Sequence, residues 1–136
     1  MDRTTVKSLD FSYNPALTDK FYDELCKLLL DRSCCLERIE LEGNRIGDKV
    51  LQKICLSAVV NCRLNFLNVS KCEITDKGAI SIAQMIRANK RLKGLFAHYN
   101  RIMGNGGAAI ADAISSSTSI QLLDLSFNSI CGNGKV

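Results

Sequence analysis

The side chains with reactive chemistry are few, and their spacing is informative. Seven cysteines stand at 26, 34, 35, 55, 62, 72 and 131, and the one histidine is His98. A thiol metal site or a redox pair would need closely paired cysteines, and no CxxC occurs. His98 lies far in sequence from any cysteine cluster, so no metal and no cofactor is expected. A bond between the adjacent Cys34 and Cys35 is disfavoured by local geometry. An odd thiol count, with an N-terminus (MDRTTVKSLDFSYN) that lacks the pattern of a secretory signal, points to a reducing, cytoplasmic compartment. Most of the cysteines then read as small buried hydrophobes.

The remaining candidates for chemistry are equally quiet. The segment GNGG at 104–107 lacks the lysine and threonine of a phosphate loop, and its near copy GNG recurs at 132–134. Both read as structural corners. RANKRLKG carries Arg87, Lys90, Arg91 and Lys93, which could meet phosphates. These cations fall where a helix ends, however, and there the helix dipole alone favours them. Nucleic acid is therefore not the expected partner. No supported Ser/His/acid spacing exists either, so the chain is not expected to be an enzyme.

Composition agrees with a single folded domain. Of 136 residues, 46% are apolar and 24% charged, the net charge is +4, and no apolar run is long enough to span a bilayer. No membrane partner is expected.

The elements that would position these residues come from an internal repeat. The pattern L-x-x-L-x-L-x-x-N/C-x-L occurs five times. Its framework residues include Leu9 and Asn14, Ile39 and Asn44, Leu67 and Cys72, Leu95 and Asn100, and Leu123 and Asn128. From Asn44 onward each step is 28 residues, and the first is 30. The repeats run near 6–35, 36–63, 64–91 and 92–119, with an incomplete unit at 120–136. Apolar residues then recur at helical spacing: Leu25, Ile54, Ile82 and Ile110, a small column Cys26, Cys55, Ala83 and Ala111, and Leu29, Ala58, Ile86 and Ile114. Asp19, Asp48 and Thr75 or Asp76 would supply helix caps or first-turn carboxylates, and glycine and asparagine would make the bend in the last two units.

A 28-residue period with helical second halves, and the phrase CEITDKGA at 72–79, resembles the ribonuclease-inhibitor-like subfamily of leucine-rich repeats. The resemblance covers nearly the whole chain. It implies an α/β solenoid, a short horseshoe arc of about five repeats, with parallel strands on the concave face and helices on the convex face. Asn14, Asn44, Asn100 and Asn128 would then be a buried amide ladder rather than active-site residues. Asn61 and Asn89 take a framework place before the strands.

With the framework leucines inward, alternate strand residues face the concavity. These are Ser8, Asp10 and Ser12; Arg38, Glu40 and Glu42; Phe66, Asn68 and Ser70; Gly94, Phe96 and His98; and Leu122, Asp124 and Ser126. Tyr13, Gly43, Lys71, Tyr99 and Phe127 follow directly. Phe66, Phe96 and Leu122 should form an exposed apolar cluster with His98 and Tyr99 at its rim, which is how protein-binding hot spots look. Arg38, Glu40, Glu42, Asn68 and Asp124 complete the expected site.

The function read from this surface is a non-catalytic interaction module or scaffold that holds another protein. A cytoskeletal or axonemal setting follows by family analogy only. The alternative is a regulator of an enzyme, such as a GTPase activator, acting through a rim arginine, Arg45 or Arg101. Against it, the chain lacks the arginine-bearing loop insertion and the acidic tract of Ran activators. Solenoid ends usually need caps, and none is evident here. The domain is therefore expected to belong to a longer protein, or to self-associate through its ends.

Overall fold

Each of the first four repeats builds one short strand and one helix, because alternating apolar residues are followed by a turn and an amphipathic run. The computed structural model describes residues 5–61 and 63–131. Along the chain come β1 (Ser8–Asp10), α1 (Asp19–Leu30), β2 (Arg38–Glu40), α2 (Gly47–Val60) and β3 (Phe66–Asn68). Then follow α3 (Asp76–Ala88), β4 (Gly94–Phe96), α4 (Gly104–Ser115) and β5 (Leu122–Asp124). The strands form one parallel sheet in sequence order. Its register runs Leu9, Ile39, Leu67, Leu95 and Leu123 straight across. Ile39, Leu67 and Leu95 are wholly buried between sheet and helices, as are Leu51, Ile54, Ile82 and Ile110 from the helices.

The asparagine column is a ladder of backbone satisfaction. Asn100 Nδ2 donates to the carbonyls of Val69 and Ala97 at 3.0 Å each, and its Oδ1 accepts from Cys72 N and Ile74 N. Asn44 and Asn128 repeat the scheme, Asn44 toward Phe11 O and Leu41 O and Asn128 toward Ala97 O and Leu125 O. Cys72 fills its rung through its thiol, 3.2 Å from Leu41 O. Asn61 and Asn89 close the helix ends: their Nδ2 groups donate to Leu29 O and Ala58 O at 2.9 Å.

The corners differ from the expectation in two ways. First, the capping carboxylates act across repeats. Asp48, in the first turn of α2, accepts from Thr75 N, Thr75 Oγ1 and Gly78 N, so it caps α3 rather than its own helix. Asp76 does the same for Met103 N ahead of α4. Thr75 is the only expected cap that serves its own helix, toward Lys77 N. Second, the glycines at 104–107 do not make a bend; they are the first turn of α4. They are small because a Cβ on Gly106 would lie 2.5 Å from Asp76 Oδ1, as one on Gly78 would from Asp48 Oδ1.

The bend itself comes earlier. The residue before each framework Asn or Cys is left-handed: Tyr13 (φ 58°), Gly43 (79°), Lys71 (52°), Tyr99 (53°) and Phe127 (56°). Only one of the five is the glycine that this region favours.

The helix stripe holds with one exception. Cys55 and Ala83 are buried and Cys26 is half-buried, but Ala111 is exposed. Gly106, Ile110 and Ala113 form the buried stripe of α4, with Gly106 against α3, and Ala111 is turned away from it. Cys131 is exposed as well, while Cys62 and the GNG corner at 132–134 lie outside the described residues.

Candidate functional site

The sheet presents its concave residues in three rows, and the rows are chemically distinct. The first, at the strand starts, is Ser8, Arg38, Phe66, Gly94 and Leu122. Gly94 leaves a gap into which the Phe66 ring leans, since a Cβ there would stand 2.7 Å from Phe66 Cδ1. Arg38 covers the other side, its guanidinium 3.8 Å from the ring centroid, a cation–π stack. Phe96 meets the same ring edge-on at 5.0 Å.

Phe66 is consequently buried (8% exposed), against its expected exposure. Its neighbours from the adjacent repeats cover it. Asn68 and Ser70 are buried for a similar reason. Asn68 Nδ2 reaches Glu42 at 3.2 Å and its Oδ1 accepts from Ser70 N, while Ser70 Oγ accepts from His98 N. Of the expected apolar groups, Leu122 (53%) and Tyr99 (48%) are left open, at opposite ends of the strands, and Phe96 is half-buried. Between Phe66 and Leu122, over Gly94, lies an open hollow of about 260 Å³ bordered by Arg38 and Lys93.

Apart from Phe96, the middle and last rows are polar. Glu42 is their hub: Tyr13 Oη donates to Glu42 Oε2 at 2.6 Å, and His98 Nε2 lies 3.5 Å from Glu42 Oε1. The Tyr13 hydrogen bond above all holds the Glu42 carboxyl below its ordinary range, with Asn68, His98 and Lys71 adding to it against a burial penalty. Asp10 and Asp124 are lowered likewise, each by the hydroxyl and backbone N–H of the serine two residues on. Glu40 pairs with Arg38 at 2.7 Å. The face thus carries four carboxylates (Asp10, Glu40, Glu42, Asp124) against Arg38 and Lys71, on a chain whose net charge is +4.

Beyond the strands, the left-handed column forms a rim that the sequence marks only by side-chain type. Lys71 Nζ sits 5.0 Å from the Tyr99 ring centroid and 5.8 Å from that of Tyr13. Tyr99 stacks on Phe127 at 4.2 Å with the planes 6° apart. Phe127, 67% exposed, was not among the expected site residues and belongs with them. All ten expected residues otherwise lie on this one surface.

Nucleophilic chemistry finds no support in these surroundings. Burial pushes the Cys55 and Cys72 thiols up to about 12. Among the described residues no three His, Cys, Asp or Glu side chains converge where a metal ion would fit. Arg45 and Arg101 are exposed on the rim, and Arg87 pairs with Asp112 on the convex side.

A family model for leucine-rich repeats matches residues 32–55 and 60–83. The ribonuclease inhibitor of Sus scrofa is 30% identical over 69 residues, which are 50% of this chain and 15% of that protein. This chain is a leucine-rich repeat protein of the ribonuclease-inhibitor-like type. The Cep78 homolog of Drosophila melanogaster is 32% identical to this repeat protein over 74 residues, 54% of the chain and 9% of that relative. The solved structure of leiomodin-1 actin-binding site 2 superposes with a TM-score of 0.63 at 19% identity, covering 93% of the repeat chain and 57% of its own. The chain therefore spans a small part of the curated relatives that it matches. No helix among the described residues is long and apolar enough to cross a membrane.

Proposed function

We propose that this leucine-rich repeat chain is a non-catalytic interaction module that holds a protein partner on its concave strand face. The observation that carries the reading is open apolar groups on that face, Leu122 at the start of β5 and Tyr99 stacked on Phe127 beyond the strands, set around the four carboxylates. That pairing suits a partner surface with an apolar side chain and a neighbouring lysine or arginine. Arg38, Glu40, His98, Tyr99, Leu122 and Asp124 would touch the partner. Phe66, Asn68 and Glu42 would hold them in place from below.

The similarity to ribonuclease inhibitor and to an actin-binding site of leiomodin-1 supports a protein as the partner class. The leiomodin-1 likeness supports a cytoskeletal setting as part of this proposal, and the odd cysteine count suits a reducing one. A shallow arc of this length would grip an elongated or small globular surface rather than surround one.

The test is affinity capture from source-cell lysate with wild type and a Leu122→Asp, Tyr99→Asp variant of equal thermal stability. The expected outcome is a protein recovered by wild type and lost by the variant. Equal recovery by both would remove the concave face from consideration.

A further inference from the structure

A second surface stands at the ends of the helices, where each chain segment turns back toward its next strand. Leu30 and Val60 are the last residues of α1 and α2, and they are 49% and 66% exposed. They face one hollow of about 390 Å³ with Arg32 on its border. Val60 also walls a second hollow, of about 210 Å³, with Lys90 and Arg91. The two hollows share Val60 and Asn61, so they make one groove across three repeats.

The rim of that groove has unused positive charge. Arg32, Lys90 and Arg91 are exposed and form no ion pair among the described residues. The adjacent carboxylate, Asp31, is occupied by Ser33 N and Ser33 Oγ at 2.8 Å each. Lys90 Nζ reaches Arg87 O at 3.3 Å near the end of α3, but Arg32 and Arg91 are not needed to close the helices. Asn61 and Asn89 side chains already bond Leu29 O and Ala58 O, and backbone N–H groups take Leu28 O, Ser57 O and Met85 O. Helix-end electrostatics explains a lysine or arginine here, but it does not explain two open aliphatic side chains beside them.

We propose that this groove, at the C-terminal ends of α1, α2 and α3, docks an acidic protein segment that presents aliphatic side chains to Leu30 and Val60. A segment in the polyproline II conformation advances about 3.1 Å per residue with three residues per turn, and packed helices stand roughly 10 Å apart. Residues three apart on the segment share one face and would meet successive repeats, with carboxylates between them facing Arg32, Lys90 and Arg91. The site is independent of the concave face.

The probe follows from that spacing: a fluorescein-labelled nonapeptide of three Glu-Glu-Leu units, with a Lys-Lys-Leu counterpart, titrated against the whole chain by anisotropy. The acidic probe is expected to bind and the basic one to bind at least about tenfold more weakly. An Arg32→Glu, Arg91→Glu variant should lose about tenfold or more, and Val60→Ser about fivefold at constant charge. Leu122→Asp, on the concave face, should change nothing. Thermal melts establish that the variants are folded. No binding of the acidic probe, or binding unaffected by Val60→Ser, overturns the proposal. Tighter capture by phosphatidylserine–phosphatidylcholine vesicles than by the acidic peptide also overturns it, in favour of a membrane surface.

Discussion

At the scale of single residues, position matters through what the neighbouring repeat brings against it. Gly78 is small because Asp48 of the preceding unit must reach its backbone N–H, at 3.0 Å. Gly78→Ala would put a methyl group 2.5 Å from that carboxylate and 2.6 Å from Ile74 Cγ2. A destabilisation of about 1–3 kcal/mol is expected, read as a lower midpoint in urea.

Glu42 gives a pH signature. Its folded carboxyl titrates below the ordinary 4.5, chiefly through Tyr13. The lowered folded pKa means that its contribution to stability is present above 4.5 and is lost as pH falls through the folded value. Glu42→Gln should therefore flatten the acid limb of the stability curve below that pH, measured by urea melts at stepped pH. An unchanged acid limb would show that the Tyr13 contact does not hold in solution.

At the scale of elements, the repeat signal in the sequence places the five strands and the buried stripes of the four helices, but not the start of α4. Each depends on a local apolar period and on one framework side chain. Asn100 makes that dependence concrete. Asn100→Ala removes the acceptor for the buried Cys72 and Ile74 N–H groups and the donor to Val69 O and Ala97 O. A cost of about 3 kcal/mol is expected from the unpaired groups, measured as a loss in unfolding free energy.

What the sequence hid arises between elements. Nothing local to Phe66 says that Arg38 will lie over it and Gly94 will make room beneath, since each comes from a different repeat. The same holds for Asp48, which looks like the cap of its own helix and serves the next one. The left-handed column was hidden for another reason. Four of its five residues have ordinary side chains, and only Gly43 carries the usual signal. Phe127 was passed over because its exposure follows from that backbone turn and not from strand alternation.

At the scale of the whole molecule, every helix packs only against its neighbours in sequence, α1 on α2, α2 on α3 and α3 on α4. Stability in such an array is close to a sum of unit and interface contributions. The framework residues of β3 and its flanks are wholly buried, whereas Leu9 and Leu123 of β1 and β5 are only partly so. Hydrogen exchange should follow that gradient, with α2, β3 and α3 slowest and β1 and β5 fastest. Uniform protection along the chain would instead show a single all-or-none unit.

The turned corner before each framework residue has one more consequence. An L-residue there costs about 1–2 kcal/mol relative to glycine, yet Tyr13, Lys71, Tyr99 and Phe127 occupy four of the five corners. Their rings and ammonium group recover part of that through mutual stacking. The remainder is a standing tax on folding, levied in the same row at repeat after repeat, to keep a strip of aromatic and cationic bulk in the open. A fold built for endurance alone would carry glycine there; on the binding role proposed above, that strip is where the molecule gives up robustness for contact.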